Sequence, residues 1–359
     1  IQETLCNGEL GKAMVLYGPL RSGKSSICTN FVEHHILFDR HARRPIWGIL
    51  YSLINAQWDN EESIFSELAG RFCKKFVAQF QLTAPRWQDY EESDPQDRFR
   101  LLVQECVAQV PHSRLILVLD EFGGAIESFE NKTLPFRFFT FWRELLYEVP
   151  QLSLLFALPT SAYNLLSSTK FSNVFSFAQN VKVRYLDEIG AQQLLVDPLR
   201  EQHIEVHPTT EALARRLTGG SPYYMTMLGQ QLIELLNRDV YRQLITDDEL
   251  LAIVEQIIQE NTGNNFDFLK LELQNDEEHR ILEAIVELTW QIKQSKVQSK
   301  VIADRLKRSM SIYEVRQHLD RLRDGLILDE IGPRSNPYYS FKIELVRRWL
   351  LRHREFFAA

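Results

Sequence analysis

The sequence predicts an α/β domain built on a parallel sheet, followed by an all-helical lid domain and a C-terminal winged-helix domain. Three observations carry that prediction. In the first half, short apolar runs bounded by polar or turn residues alternate with amphipathic segments, the pattern of βα units around a sheet buried on both faces. From about Asp187 the strand signal stops and helical periodicity takes over. Further on, three helical stretches precede a hairpin pattern, the make-up of a winged helix. The expected domains are 1–186, 187–265 and 266–359.

The strands come in the order "AMVLY" (13–17), "IWGILYSL" (46–53), "RLILVLD" (114–120) and "LSLLFAL" (152–158), with "NVKVRYL" (180–186) as a shorter fifth. Amphipathic segments lie around 61–80, 97–110 and 135–148, and "LTAPRWQDYEESDPQD" (82–97) reads as a long surface loop. The helical domain draws on "EIGAQQLLVDPL", "TTEALARRLTGG", "PYYMTMLGQQLIELLNR" and "DDELLAIVEQIIQEN", and "TGNNFDFLKLELQND" (262–276) reads as a polar link. "EEHRILEAIVELTW", "KVIADRLKR" and "SIYEVRQHLDRLRDGLI" then supply three helices, and "LILDEI", "GPRSNP" and "YYSFKI" a hairpin. No internal repeat or low-complexity tract interrupts the chain.

Bulk composition narrows the function classes. A length of 359 residues allows two or three cores. With 45% hydrophobic and 25% charged residues the chain is ordinary for a globular protein, and no apolar run approaches the roughly 20 residues that span a bilayer. The formal charge of −7 excludes a surface that is basic throughout and leaves nucleic acid, at most, a local face. Cys6, Cys28, Cys73 and Cys106 are widely spaced without metal-type pairing and read as reduced thiols, which points to the cytoplasm. The histidines form no metal-ligand pattern. The start at Ile1, with neither methionine nor a signal pattern, reads as a piece of a longer chain.

Chemistry enters at "GPLRSGKSS". Gly18, Gly23, Lys24 and Ser25 satisfy G-x-x-x-x-G-K-[ST] between an expected strand and an expected helix. The glycines let backbone amides turn toward a phosphate, Lys24 supplies a point charge to the β- and γ-phosphates, and the Ser25 hydroxyl can ligate Mg²⁺. Pro19, Leu20, Arg21, Ser22 and Ser26 complete the loop, with Arg21 and Ser22 contributing through their backbone. Asp120 and Glu121 end the third strand, where Asp120 can reach the metal through water and Glu121 can polarise the attacking water. That acidic pair suits an ATPase, and no N-K-x-D-like guanine reader is visible. Thr160, at the tip of the fourth strand, is the candidate γ-phosphate sensor, with an ordinary helix-capping residue as the alternative reading. Arg137 and Arg143 are arginine-finger candidates, though a solvated helix face suits each better.

The stretch "LTGGSPYYMTMLGQQLIELLN" (217–237) resembles the Gly-x-Pro signature of the STAND class of signal-transduction ATPases and the related archaeal-type, AAA+-related ATPases. The resemblance runs through the phosphate loop, "LVLDEF", the helical lid and the terminal winged helix, and it lies in their order and spacing. It implies that Pro222 contacts the base or ribose and that Gly219 and Gly220 allow the turn that places it. The stretch such families often carry before the first strand is not visible in "IQETLCNGELGK".

In the expected winged helix, Ile312, Val315, Leu319 and Leu322 form an apolar face, and Arg316, His318, Arg321 and Arg323 mix with Glu314, Asp320 and Asp324. That near-balance favours a packing module over DNA binding. Arg347, Arg348, Arg352 and Arg354 give the last helix a basic stripe. The expected function is an ATP- and Mg²⁺-dependent switch of the STAND type, slow in turnover, coupling nucleotide state to homo-oligomerisation or to an effector domain in signalling or antiviral defence. The alternative is a DNA-handling AAA+-like ATPase of the origin-binding or transposition-loader type, whose winged helix binds duplex.

Overall fold

In the computed structural model, which describes residues 1–6, 10–35, 44–167, 171–238, 241–260, 265–273 and 275–357, the chain divides into two compact units. The first comprises Ile1–Gly18 and Gly23–Val183, the second Pro19–Ser22 and Arg184–Ala359.

The first unit is a five-stranded parallel sheet, β1 (Ala13–Gly18), β2 (Ile46–Ser52), β3 (Arg114–Asp120), β4 (Leu152–Pro159) and β5 (Ala178–Lys182), in the spatial order β2-β3-β4-β1-β5. Its helices are α1 (Gln2–Cys6), α2 (Lys24–Asn30), α3 (Glu61–Phe80), α4 (Pro95–Gln109), α5 (Gly123–Glu130), α6 (Arg137–Glu148), α7 (Thr160–Leu166) and α8 (Ser172–Phe175). β3 and β4 are buried at every position, which explains why they read as unbroken apolar runs without alternation. On one face Val15, Leu117, Leu154 and Phe156 pack with Phe65, Phe72, Phe99, Phe138 and Trp142 from the helices. On the other, Met14, Leu16, Val118 and Leu155 pack with Cys28 and Phe31. Each such aromatic, fully buried, contributes about 1.5–3 kcal/mol, so the sheet is a rigid base for whatever its strand ends carry.

Helix boundaries follow local chemistry. Asn60 caps α3 by accepting the Ser63 amide at 3.1 Å, and Asp94 caps α4 just before Pro95. α3 spans the 61–80 expected from periodicity. The expected loop 82–97 instead contains a 3₁₀ turn at Trp87–Tyr90, and α4 already starts at Pro95. The fifth strand begins and ends earlier than expected, because the apolar pattern there is short and only half buried.

The second unit begins with α9 (Glu188–Glu201), β6 (Glu205–Val206), α10 (Pro208–Thr218), α11 (Pro222–Arg238), β7 (Leu244–Ile245) and α12 (Asp247–Glu260). β6 and β7 pair in parallel over two residues, too short to leave any period in the sequence. α13 (Phe268–Glu272) lies inside the expected polar link, and it is not polar in effect: Phe266, Phe268, Leu269 and Leu273 are buried. Residues 262–264 and 274 of that link lie outside the described residues. Then come α14 (Asp276–Gln291), β8 (Lys296–Gln298), α15 (Ser299–Leu306), α16 (Ile312–Asp324), β9 (Leu328–Ile331), β10 (Tyr338–Phe341) and α17 (Glu344–Arg352), with the strands in the antiparallel order β8-β10-β9. Three helices and a small sheet with a β9–β10 hairpin make a winged helix. Val315, Leu319 and Leu322 of α16 are buried, but Ile312 is 61% exposed and does not belong to that face. One core runs through the unit, from Leu195 and Leu228 through Phe266 to Leu282 and Trp349.

Candidate functional site

Sheet order decides which side chains meet in the first unit. β4 lies between β1 and β3, with Gly18 opposite Pro159 and Ser52 opposite Asp120. The ends of β1, β3 and β4 therefore present Gly18, Asp120 and Thr160 side by side, at the carboxyl edge where open parallel sheets bind ligands.

From Gly18 the chain turns over five residues into α2, whose first residue is Lys24. Gly23 closes the turn at φ +88°, a conformation in which a side chain would be strained. Lys24 is 7% exposed, and its ammonium donates to the Gly18 carbonyl at 3.0 Å. The charge is thus held across the mouth of the loop. Ser25 and Ser26 are exposed on the first turn of α2.

Asp120 is buried at the end of β3, and its Oδ1 accepts the Glu121 amide at 3.0 Å. Glu121 takes φ +57°, an uncommon conformation for a residue with a side chain. Burial raises the Glu121 carboxyl above its ordinary pKa, the Asp120 charge raises it further, and Lys24 opposes both. Burial and Asp120 also push the Cys28 thiol up to about 12, again against Lys24. Lys24, Asp120 and Glu121 therefore share one local field.

Thr160 is 6% exposed, and its hydroxyl has no hydrogen-bond partner among the described residues. It does not cap α7, whose N-cap is Pro159 with no side-chain bond. The helix-capping reading is thereby excluded, and a buried donor is left at the strand tip beside the loop. Three residues on, Tyr163 stacks on Tyr17 with centroids 3.5 Å apart and planes 7° from parallel, which ties α7 to the strand that carries the loop. Arg137 pairs with Glu61 and Asp94, and Arg143 donates to the Asn173 carbonyl, so both finger candidates are engaged on the unit's own surface.

The remaining loop residues, Pro19–Ser22, cluster with the second unit. The Leu20 amide donates to Glu272 at 2.6 Å, and the Arg21 carbonyl accepts from the Ser221 hydroxyl at 3.3 Å. The Arg21 guanidinium lies 4.0 Å from the Tyr223 ring centroid and 5.4 Å from that of Phe268. The Ser22 hydroxyl is buried without a partner among the described residues. Pro222 is the first residue of α11 and directly follows Ser221. Gly219 and Gly220, at φ +61° and +77°, make the turn before it; a Cβ on either would lie 2.3 Å from a backbone carbonyl oxygen, Lys342 and Leu186 respectively. Ser221 thus brings the "GGSP" turn to Arg21. Glu272, Tyr223 and Phe268 were not legible as neighbours of Leu20 and Arg21, nor Tyr163 as a neighbour of Tyr17, since each pair is far apart in sequence and no short motif links it.

The donor set fits a nucleotide phosphate and a hard cation. Among the described residues the buried Thr160 hydroxyl lacks a partner, a lysine spans the loop, and a hydroxyl and a carboxylate stand at the start of α2 and the end of β3. Among the described residues no group of three or more His, Cys, Asp or Glu could hold a metal. Mg²⁺ would draw on Ser25 and Asp120, with phosphate and water completing its shell.

No protein-family model matches the chain, and no curated protein matches it significantly. Among solved structures it is similar to the ORC2 protein of Aeropyrum pernix in its ADPNP–ADP complexes, at 15% identity over 100% of this chain and 92% of that one, with a TM-score of 0.65. It is also similar to a Walker-type ATPase of Pyrococcus abyssi, at 18% identity over 97% and 93%, with a TM-score of 0.63. A further likeness is to the ADP form of the A. pernix protein, at 15% identity over 97% and 88%, with a TM-score of 0.54. The chain therefore shares its fold with these structures, here a five-stranded parallel sheet followed by helical and winged-helix regions.

Proposed function

We propose that this chain binds and hydrolyses ATP with Mg²⁺ and uses the nucleotide cycle to handle DNA through its winged helix. The observation that carries the first part is the placement of Lys24, on the helix that follows β1, beside Asp120, Glu121 and Thr160 at the ends of the neighbouring β3 and β4. In this reading Lys24 and the loop amides hold the β- and γ-phosphates, Asp120 and Ser25 hold the cation, Glu121 orients water and Thr160 reads the γ-phosphate. The structural likeness to a protein solved in complexes with ADPNP and ADP supports that choice of ligand.

The charge distribution of the winged helix supports DNA over the packing role expected from sequence. Much of the charge of α16 is neutralised within the unit: Arg321 pairs with Glu278, and Arg323 with Asp320, Asp324 and Glu330. The stripe on α17 is engaged likewise, Arg347 and Arg348 with Glu344 and Arg352 with Glu255. A different edge keeps its charge exposed. Arg316 donates to the Arg334 carbonyl at 3.2 Å, and the Lys300 amide and Ser299 hydroxyl donate to Asn336, so the hairpin turn joins the starts of α15 and α16. Lys300, Lys307, Arg308, Arg316 and Arg334 are exposed there against Asp304 and Glu314, with Tyr313 83% exposed among them. A helix start and a hairpin turn bearing such a surface suit a phosphate backbone and a groove. The STAND-type switch is the second reading, favoured by the anchoring of the loop residue Arg21 on Ser221 and Tyr223.

The test is ATP turnover with and without duplex DNA, together with duplex binding by anisotropy over a salt series. DNA handling requires stimulation of turnover and a binding constant that falls with salt. The Arg316→Ala/Arg334→Ala double variant should flatten that salt slope by about two charges. Turnover indifferent to DNA, with no salt-sensitive binding, would favour the switch.

A further inference from the structure

The phosphate loop holds an anion of its own. Glu272 closes α13 and is 8% exposed, yet its carboxylate is committed to the Leu20 amide at 2.6 Å, a backbone donor in the middle of the loop. A short charge-assisted bond of this kind is roughly twice as strong as a neutral one. One residue on, the Arg21 side chain is turned into a cage. Its guanidinium faces Tyr223 at 4.0 Å, Phe268 at 5.4 Å and Tyr224 at 5.9 Å, and it donates to the Tyr224 hydroxyl at 3.4 Å. Asn265 fixes that cage, accepting from the Tyr223 hydroxyl through its side chain and from the Tyr224 hydroxyl through its carbonyl, each at 2.7 Å. Arg21 holds this position at φ +63°, outside the common backbone regions. Glu272 and Arg21 also act together on the Tyr185 phenol, which burial and Glu272 make less acidic and Arg21 makes more so.

We propose that Glu272 is a resident anion of the phosphate loop, a positioning residue that competes with nucleotide phosphate for the middle of the loop and is released when ATP binds. The inference rests on the reading of this loop as an ATP site. Loop amides that gather a carboxylate are donors suited to phosphate oxygens. A triphosphate arriving beside a buried carboxylate meets like charge at low dielectric, and the Leu20–Glu272 bond is the element that can give way. Neutralising Glu272 removes that repulsion and leaves the Arg21 charge less compensated. Both changes favour a polyanion. By reciprocity, whatever Glu272 costs ATP in affinity, ATP costs the Leu20–Glu272 bond in stability.

The experiment compares the full chain with Glu272→Gln, which keeps the size of the side chain and removes its charge. The readouts are ATP affinity by calorimetry, KM and kcat in steady state, and amide hydrogen exchange in 266–273. The variant should bind ATP about three- to tenfold more tightly, with KM lowered to match and kcat within about twofold, as expected for loss of one opposing charge at partly screened range. In the parent, saturating ATP should accelerate exchange in 266–273; in Glu272→Gln that acceleration should shrink. A merely structural contact predicts the opposite sign, since its loss weakens binding. Unchanged or weaker binding by the variant overturns the proposal. Should the variant fail to fold, the parent alone decides: no acceleration in 266–273 on adding ATP overturns it equally. A parent that binds no ATP in calorimetry sinks the nucleotide reading, and this inference with it.

Discussion

The Glu121 amide donates to Oδ1 of Asp120 at 3.0 Å, while Glu121 itself sits at φ +57°. In the proposed reading, one hydrogen bond fixes the carboxylate that would hold a cation, and a left-handed backbone places the acid that would orient water. A left-handed residue with a side chain costs about 1–2 kcal/mol, and strain of this kind clusters at functional sites. That reading makes the two acids separable by mutation.

Glu121→Gln should keep ATP binding and lower kcat by about 10²–10³-fold, the range for loss of a general base. Single-turnover hydrolysis beside calorimetry checks both halves; turnover at the parent rate removes Glu121 as the base.

The same carboxyl gives a pH dependence with a definite sign. Its pKa is raised in the folded chain by burial and by Asp120, so the ionised base is lost at a higher pH than for an ordinary carboxylate. Turnover should fall as pH drops through that raised value. Stability runs the other way. The folded state favours the protonated form, a contribution present below the unfolded pKa and lost as pH rises through the folded one. Thermal melts from pH 4 to 8 should therefore show Glu121→Gln gaining stability relative to the parent toward the alkaline end. A constant difference across that range would mean the carboxyl is not perturbed.

Lys24→Ala should weaken ATP binding by at least about 100-fold, because a compact ammonium held over the loop is the main point charge offered to the phosphates. Undiminished affinity in calorimetry would refute the phosphate-loop assignment.

Much of this site is legible in sequence because it hangs on strand ends. Burial on both faces makes β3 and β4 continuous apolar runs, so the sequence pattern itself puts Asp120 and Thr160 at their tips. What sequence could not supply is the neighbourhood of Arg21. Glu272 and Phe268 fall in a stretch that reads as a polar link, and only packing reveals that its phenylalanines are buried and its glutamate holds Leu20. The charge of α16 is settled by packing as well: Arg321 pairs with Glu278 and Arg323 with Glu330, partners outside the helix, so its balance in sequence does not tell which of its charges stay exposed.

Pro222→Ala tests whether the "GGSP" turn contributes to nucleotide binding. The turn is anchored by two hydrogen bonds, since the Leu186 amide donates to the Gly220 carbonyl at 2.8 Å and the Ser221 hydroxyl donates to the Arg21 carbonyl. If Pro222 contacts the base, the substitution should weaken ATP by about 1 kcal/mol, several-fold in affinity, the scale of a small apolar contact. If it serves only to start α11, the change alters melting equally with and without ATP, because the effect stays in the backbone. The ATP-induced shift in Tm separates the two: a smaller shift in the variant keeps Pro222 in the site, and an identical shift removes it.

Thr160→Val addresses the buried hydroxyl at the tip of β4. Threonine and valine have nearly the same shape, and the hydroxyl has no partner among the described residues. Removing it therefore relieves an uncompensated desolvation, and stability should hold or rise slightly, by up to about 1–3 kcal/mol. Were the hydroxyl a structural donor, the same change would lower Tm. Its chemistry should be felt only with ATP bound, where a donor aimed at the γ-phosphate stabilises charge that develops during transfer. The expected outcome is ATP affinity within about threefold of the parent and kcat lower by about 10–100-fold, somewhat less than for a dedicated oxyanion donor. A variant that turns over ATP at the parent rate would strip Thr160 of the sensor role and leave its buried hydroxyl without a function.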